Sequence, residues 1–166
     1  MGSSVQKGMA PTTSKEFKAK LEHKLYLARE NPEPIFDLSE CDLKQIPQGI
    51  FSLCKVFRKE VLLLYSNRLN TLEDGGSIND LKLIHILDLH KNLFVHLTPA
   101  ISVLTNLREL YLNSNRLKYL PDTICDLYNL QVLNLNDNFL KELPDNFGNL
   151  KALQDLSIER NDKLNK

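Results

Sequence analysis

Residues 107–121 read LRELYLNSNRLKYLP, and this stretch decides the fold. The leucines at 110 and 112, with one residue between them, form the pattern of a short strand whose alternate side chains face one side. Asn115 follows three residues later, where it can both donate and accept hydrogen bonds at the turn that ends the strand. The stretch therefore predicts a short strand with one apolar face, closed by a turn that contains an asparagine.

The same arrangement recurs at a nearly constant period. Five asparagines lie 25, 23, 23 and 23 residues apart, and a cysteine lies 26 residues before the first of them: Cys41, Asn67, Asn92, Asn115, Asn138 and Asn161. Large apolar residues, mostly leucine, flank each of these positions, and 33 of the 166 residues are leucine. This is the L-x-x-L-x-L-x-x-N/C-x-L pattern of leucine-rich repeats, present about six times. It predicts an α/β fold: a leucine-rich repeat solenoid, or horseshoe, with a parallel concave sheet and short convex helices.

These six recurring positions, which we call the ladder residues, are expected to be structural. When repeats stack, the turn at each position becomes buried, and a side chain that both donates and accepts can satisfy its backbone groups. Cysteine is small and carries a weak S–H donor, so Cys41 can take the same place, with a reactive thiol as the alternative. Cys54 and Cys125 complete an odd set without CxxC spacing, which favours reduced thiols in the cytoplasm.

The chain divides into three segments. Residues 1–12 are expected to be disordered or derived from an expression vector. Residues 13–31 predict an N-terminal capping helix, because Thr13 and Glu16 form a capping box and one face is apolar. The lysines of this segment leave a membrane-surface helix as the alternative. Residues 32–166 are the repeats, about six in number, of which the last is expected to be truncated.

Composition limits the classes of partner. The 21 basic and 21 acidic side chains give a formal net charge of zero, whereas nucleic-acid binding needs a basic surplus. No apolar run reaches the ~20 residues of a membrane-spanning helix, and the N-terminus has no apolar signal segment. The motifs HExxH, a phosphate-binding glycine loop and Cys/His zinc spacing do not occur. We therefore expect a cytoplasmic protein with a protein partner, and no nucleic acid, integral membrane association, metal or cofactor.

One pair of residues invites a catalytic interpretation. Asp88 and His90 lie two residues apart on a predicted strand, so they share a face and can form a dyad. No serine or cysteine nucleophile with a partnering motif accompanies them in the sequence. A hydrolase is therefore a minor alternative, and we expect no catalytic residues in this chain.

The outward positions of the predicted strands form the candidate binding site. Several are unusually apolar for side chains that face solvent, and aromatic groups bordered by polar ones favour a protein partner. The aliphatic residues have a second explanation, since they also raise strand propensity. The predicted partner-binding residues are Val61, Leu63, Tyr65, Ile86, Asp88, His90, Tyr111, Asn113, Asn134 and Asn136.

Two features of the chain resemble known families. The 23-residue repeats with Leu120-Pro121 and Leu143-Pro144 are similar to the Ras-group intracellular leucine-rich repeat proteins. More narrowly, several N-terminal segments resemble the repeat region of the leucine-rich repeat and sterile alpha motif-containing E3 ubiquitin ligases. These segments are Lys20-Leu21-Glu22, Leu27-Ala28-Arg29-Glu30, Phe36-Asp37-Leu38-Ser39-Glu40-Cys41 and Ile46-Pro47-Gln48-Gly49.

The second resemblance implies a function. In those ligases the repeats recruit target proteins, and a C-terminal RING domain transfers ubiquitin. The resemblance implies that this chain is the substrate-recruiting part, with ubiquitination substrates reached through a longer parent chain. It implies no ligase catalytic residue within these 166 residues. The alternative is a non-enzymatic signalling or polarity scaffold of the Ras-group type.

Overall fold

The computed structural model of the protein describes residues 13–164 and contains a parallel sheet. Its six strands follow the order of the chain, and each pairs in register with the next. They are β1 (Ile35–Asp37), β2 (Val61–Leu63), β3 (Ile86–Asp88), β4 (Glu109–Tyr111), β5 (Val132–Asn134) and β6 (Asp155–Ser157). This is the solenoid that the repeat period predicts. The predictions for residues 1–12 and for the last two residues of the sixth repeat lie outside the described residues.

The middle residues of strands β1–β5 face the interior. Leu62, Leu87 and Leu110 are completely buried, whereas the residues on either side of each are partly exposed. The leucine two residues further along, such as Leu64 or Leu112, is buried as well. Burial of one leucine side chain contributes about 1.5–3 kcal/mol, and a repeat gains this burial only where a neighbouring repeat covers it. The repeats therefore share one continuous core.

The predicted N-terminal helix is present as α1 (Ser14–Glu30). Its capping box forms as predicted: the Thr13 hydroxyl oxygen accepts from the backbone N–H of Glu16, and the Glu16 carboxylate accepts from that of Thr13. Ala28 is buried, and Leu21 and Leu25 pack against the core of the repeats. The apolar face of α1 thus lies on the first repeat, which favours the capping role over a membrane-surface role.

A buried lysine ties the segment after α1 to the second repeat. Lys59 is 1% exposed, and its Nζ donates hydrogen bonds to the carbonyls of Asn31 at 3.0 Å and Glu33 at 2.7 Å. Its backbone N–H donates to the carbonyl of Cys54. A buried ammonium group is tolerated only when its donors are satisfied. Lys59 therefore fixes the chain between α1 and β1, a role that the repeat pattern does not reveal.

The outer side of the solenoid carries short helices, as predicted, but among the described residues only α2 (Ile50–Val56) is an α-helix there. It lies in the 26-residue interval between Cys41 and Asn67. The later intervals carry 3₁₀ helices at Glu73–Gly75, Ile78–Leu81, Pro99–Val103, Asp122–Asp126 and Asp145–Asn149. A 3₁₀ helix rises about 2.0 Å per residue against about 1.5 Å in an α-helix. It therefore crosses the outer side with fewer residues, which suits the shorter repeats.

Two glycines in the 25-residue interval have separate roles. A Cβ atom at Gly75 would lie 2.6 Å from Cε1 and Cζ of Phe51, whose ring is completely buried. Gly76 has a φ of 114°, a conformation that strongly favours glycine. Gly75 is thus required by packing and Gly76 by backbone conformation.

Gly75→Ala is expected to lower the free energy of unfolding by about 1–3 kcal/mol, because the added methyl group would displace the packed Phe51 ring. Gly148→Ala is the matched control, since a Cβ at Gly148 meets nothing within 4 Å. Urea unfolding followed by circular dichroism measures both variants. Wild-type stability of the Gly75→Ala protein would show that the ring has room to move, contrary to this packing.

Asn115 shows how the ladder residues join consecutive repeats. Its Oδ1 accepts a hydrogen bond from the backbone N–H of Phe94 at 3.1 Å, and its Nδ2 donates to the carbonyls of Leu89 and Leu112, both at 3.0 Å. Phe94 and Leu89 belong to the preceding repeat. The other ladder asparagines bridge neighbouring repeats in the same way: Asn67, Asn92, Asn138 and Asn161. All five are at most 8% exposed.

Cys41 occupies the corresponding place in the first repeat. Its Sγ donates to the carbonyl of Ser39 at 3.2 Å, and its backbone N–H donates to Oδ1 of Asn67 at 3.0 Å. Burial raises the pKa of the Cys41 thiol above its ordinary value. A thiol held protonated in this way is a poor nucleophile, so the structure favours the ladder role over the reactive one.

A left-handed backbone conformation precedes every ladder residue. The residue before each has a φ between 53° and 57°, and none of them is glycine: Glu40, Ser66, Lys91, Ser114, Asp137 and Arg160. A positive φ is unfavourable for residues with a Cβ, so the surrounding structure must hold it in place. The ladder hydrogen bonds on the next residue supply that restraint in each repeat. The varied residue types at this position explain why the sequence does not predict the conformation.

Asn115→Ala is expected to lower the free energy of unfolding by about 1–3 kcal/mol, because it leaves buried backbone groups without partners. Asn113→Ala is the matched control, since Asn113 lies two residues away on the partly exposed side of the sheet. Chemical denaturation of both variants gives the comparison. If the two variants were equally stable, the structural role of Asn115 would be wrong.

Candidate partner-binding face

The concave face consists of three rows of side chains that run across the six strands. In each repeat these are the first and third strand residues and the residue two places beyond the strand. The first row is Ile35, Val61, Ile86, Glu109, Val132 and Asp155; the second is Asp37, Leu63, Asp88, Tyr111, Asn134 and Ser157; the third is Ser39, Tyr65, His90, Asn113, Asn136 and Glu159. The structure places all ten predicted partner-binding residues in these rows. Their role in binding stays a prediction.

An aliphatic cluster lies at β2 and β3. Val61 pairs with Ile86 in the sheet register, and Leu63 lies beside Asp88. All three aliphatic side chains are only partly buried, although valine, leucine and isoleucine are residue types usually found in a protein core. Neighbouring parallel strands lie about 4.8 Å apart, so the three side chains form one apolar surface on the concave face.

Two rings extend this apolar surface. The rings of Tyr65 and His90 stack with their centroids 4.7 Å apart and an interplanar angle of 10°. Asp88 orients the histidine, because its Oδ1 lies 2.6 Å from Nδ1 of His90 and accepts from the His90 backbone N–H at 3.1 Å. The sequence places Asp88 and His90 on one face, but it does not reveal the stacking of Tyr65.

The closeness of Asp88 and His90 is therefore explained by the role of Asp88 in positioning the histidine ring. The histidine ring is held between a carboxylate and an aromatic ring, and all three thiols of the chain are buried. Burial raises the pKa of each thiol, that of Cys54 to about 12. Burial and a raised pKa make each thiol a poor nucleophile, which disfavours the cysteine form of the hydrolase alternative.

Tyr111 lies at the centre of the face and is tied to a carboxylate. Its hydroxyl donates to Oε2 of Glu109 at 2.7 Å. This hydrogen bond, together with burial and the charges of Glu109, Asp88 and Asp155, raises the pKa of Tyr111 to about 12. The phenol is therefore held neutral, with its hydroxyl hydrogen committed to Glu109.

A lysine of the cap helix binds the first residues of the second and third rows. Nζ of Lys24 on α1 lies 2.8 Å from Oδ1 of Asp37 and donates to the carbonyl of Ser39 at 2.7 Å. Burial raises the pKa of Asp37, but hydrogen bonds from Lys24 and Ser39 outweigh it and lower the pKa below its ordinary value. Asp37 and Ser39 are therefore engaged within the protein, whereas Ile35 on the same strand is exposed.

The last repeats present amides to solvent. Asn134 accepts from the backbone N–H of Asn136 at 3.1 Å, and Asn136 accepts from that of Glu159 at 2.7 Å, each through Oδ1. Both side chains are partly exposed, and neither takes the place of a ladder residue. The face is thus apolar at β2–β3 and polar at β4–β6.

Within residues 13–164 no group of three or more histidine, cysteine, aspartate or glutamate side chains is arranged to hold a metal ion. The helices of that same part of the chain are all too short or too polar to cross a membrane.

Residues 105–162 match the family model described as leucine rich repeat. These residues are leucine-rich repeats, and strands β1–β3 extend the same fold towards the N-terminus. This repeat is an interaction fold and not a catalytic one, so the matched region is a protein–protein interaction module.

Two curated relatives share the repeats. E3 ubiquitin-protein ligase LRSAM1 of Mus musculus is 41% identical over 94 residues, which are 55% of this chain and 13% of the ligase. Volume-regulated anion channel subunit LRRC8D of Rattus norvegicus is 37% identical over 75 residues, 45% of this chain and 8% of the subunit. The chain therefore spans a small part of the length of either relative.

A solved structure supports the same architecture. The leucine-rich repeat domain of the type III effector XopL superposes with a TM-score of 0.77 and covers 93% of this chain and 53% of that one. The two are 24% identical, so the likeness shows the fold alone.

Glu109→Gln is expected to lower the pKa of Tyr111 from about 12 towards its ordinary value of 10.0, because the neighbouring negative charge is removed. In the wild type, this hydrogen bond on a partly exposed side chain makes a small contribution to stability, which is present below the ordinary pKa and is lost as the pH rises through the folded pKa. Absorbance titration of the phenolate measures the shift. Glu142→Gln, at an exposed site outside the three rows, is the control. An unchanged Tyr111 titration in Glu109→Gln would contradict this assignment.

Proposed function

We propose that the chain binds a protein partner on its concave face and that it is the substrate-recruiting part of an E3 ubiquitin ligase. The observation that carries the first statement is the surface formed by the stacked rings of Tyr65 and His90 beside Leu63 and Ile86. Aromatic and aliphatic side chains bordered by carboxylates and amides are the composition of a protein-binding hot spot.

The geometry of the surface supports the same proposal. The aliphatic side chains project from strands β2 and β3, and the two stacked rings lie two residues beyond those strands, so a partner meets groups that are already positioned. The ring of His90 is further restrained by Asp88, and the hydroxyl of Tyr111 by Glu109. Little side-chain freedom is therefore lost on binding, which favours affinity from a small area.

The ligase statement is supported by likeness to LRSAM1, at 41% identity over 94 residues. In this proposal the RING domain belongs to a longer parent chain, and ubiquitination substrates bind to the repeats. A cytoplasmic location is part of the proposal, since the three cysteines are free thiols and such thiols persist in a reducing compartment.

The second candidate is a non-enzymatic signalling or polarity scaffold. It is favoured by the Leu120-Pro121 and Leu143-Pro144 pairs, which are typical of the Ras-group repeats. The two candidates differ outside this region: zinc-ligand cysteine and histidine residues encoded downstream of Lys166 would identify a ligase, whereas a parent protein without them would be a scaffold.

Tyr65→Ala combined with Tyr111→Ala is expected to weaken binding of the native partner by at least ~2 kcal/mol, because both rings supply large area with little rotamer entropy. Thermal stability should change little, since both side chains are partly exposed. Affinity capture with the full chain identifies the partner, and titration calorimetry measures its affinity.

The control is Lys82→Ala combined with Lys151→Ala, two exposed lysines outside the concave rows. Loss of binding in the lysine variant, with the tyrosine variant unaffected, would overturn the concave-face proposal. For the ligase statement, the full-length parent protein should ubiquitinate the captured partner, and the tyrosine variant should not. Binding without any ubiquitin transfer would favour the scaffold.

A further inference from the structure

The charge of the concave face differs from the net charge of the whole chain. The chain as a whole is formally neutral, but its three concave rows contain five carboxylates and no lysine or arginine. The five are Asp37, Asp88, Glu109, Asp155 and Glu159. The rows themselves are therefore acidic, with Lys24 of α1 engaged at Asp37 and His90 at Asp88.

Three of these carboxylates lie against a basic side chain of the protein itself: a lysine, a histidine and an arginine. Asp37 lies 2.8 Å from Nζ of Lys24, Asp88 lies 2.6 Å from Nδ1 of His90, and Glu159 lies 3.4 Å from Nη1 of Arg160. Among residues 13–164, Glu109 and Asp155 form no ion pair with lysine, arginine or histidine. Two carboxylates on the face are thus uncompensated.

The sheet register brings these two carboxylates to one place. Glu109 and Asp155 occupy the same row and pair with Val132 from either side. Two strand spacings separate their backbones by about 10 Å. Tyr111 lies beside them in the next row, partly exposed, and its hydroxyl donates to Glu109.

We propose that Glu109 and Asp155 form a subsite for lysine or arginine side chains of the protein partner, so that the partner segment is basic at β4–β6 and apolar at β2–β3. This inference rests on the proposed concave binding. Guanidinium or ammonium groups of the partner would meet one carboxylate at Glu109, beside Tyr111, and a second at Asp155, each of which favours a cation. The aliphatic cluster around Leu63 and Ile86 takes the apolar part of the same segment.

Long-range attraction gives the subsite a measurable signature. Uncompensated charges on a concave surface attract an oppositely charged partner and speed its association, and salt screens the effect. An apolar surface without such a subsite would show little dependence of affinity on salt. Salt dependence therefore separates a basic partner from a purely apolar one.

The test uses a random peptide library displayed on phage and selected against the full chain at low salt. The strongest binders are synthesised, and their affinities are measured by fluorescence anisotropy. The variants are Glu109→Gln with Asp155→Asn, which removes both charges, and Tyr65→Ala, which removes the stacked ring. Glu22→Gln with Glu142→Gln removes the same charge at exposed sites outside the three rows and is the control.

The inference predicts that the selected peptides are enriched in lysine and arginine. Their affinity should fall about tenfold, or ~1.4 kcal/mol, in the Glu109→Gln and Asp155→Asn double variant. It should also fall as NaCl rises from about 50 to 300 mM. The control variant should retain wild-type affinity, and all variants should unfold at wild-type denaturant concentrations.

Peptides that depend on Tyr65 but show no basic enrichment and no effect of the double variant would overturn the subsite and leave the concave proposal standing. Peptides that are indifferent to both Tyr65→Ala and the double variant would contradict both proposals. Equal weakening by the control variant would show a general charge effect and would likewise overturn the subsite, as would a library that yields no binder.

Discussion

The structure depends on the hydrogen bonds that each ladder asparagine makes between two consecutive repeats. Asn115, for example, accepts from one backbone group of the preceding repeat and donates to a carbonyl there and to another in its own repeat. These bonds satisfy backbone groups that are buried at a turn and that have no partner within a helix or a strand. They also hold the preceding residue, Ser114, at a positive φ that it would otherwise avoid. The same restraint recurs at every repeat, so one local geometry sets the stacking of the whole solenoid.

That stacking determines what the protein can bind. Because the strands pair in register, equivalent positions line up in rows, and a residue such as Leu63 lies beside Asp88, which in turn lies beside Tyr111. The rows combine an apolar part with uncompensated carboxylates on a backbone that has little freedom to move. Such a surface suits a partner segment whose own chemistry changes from apolar to basic along its length. At the N-terminal end, Lys24 limits the surface by engaging Asp37.

The sequence predicts the structural features that depend on a local or recurring pattern. The period of asparagine and leucine is sufficient for the six strands and the buried leucines, and the spacing of Thr13 and Glu16 is sufficient for the capping box, because each depends on a local pattern. Features that involve a single long-range contact were not predictable. The stacking of Tyr65 on His90, the buried Lys59 and the contact between Gly75 and Phe51 each join residues from different repeats. No spacing rule identifies such contacts, because their residue types do not recur from repeat to repeat.

The most direct test is nuclear magnetic resonance of the asparagine side-chain amides. The account predicts slow hydrogen exchange for the Nδ2 groups of Asn92 and Asn115, which bond to buried carbonyls, and little change when a partner is added. The amides of Asn113, Asn134 and Asn136 should exchange quickly and shift on partner binding. Rapid exchange at Asn92 and Asn115, or partner-induced shifts confined to them, would contradict the division between structural ladder and binding face.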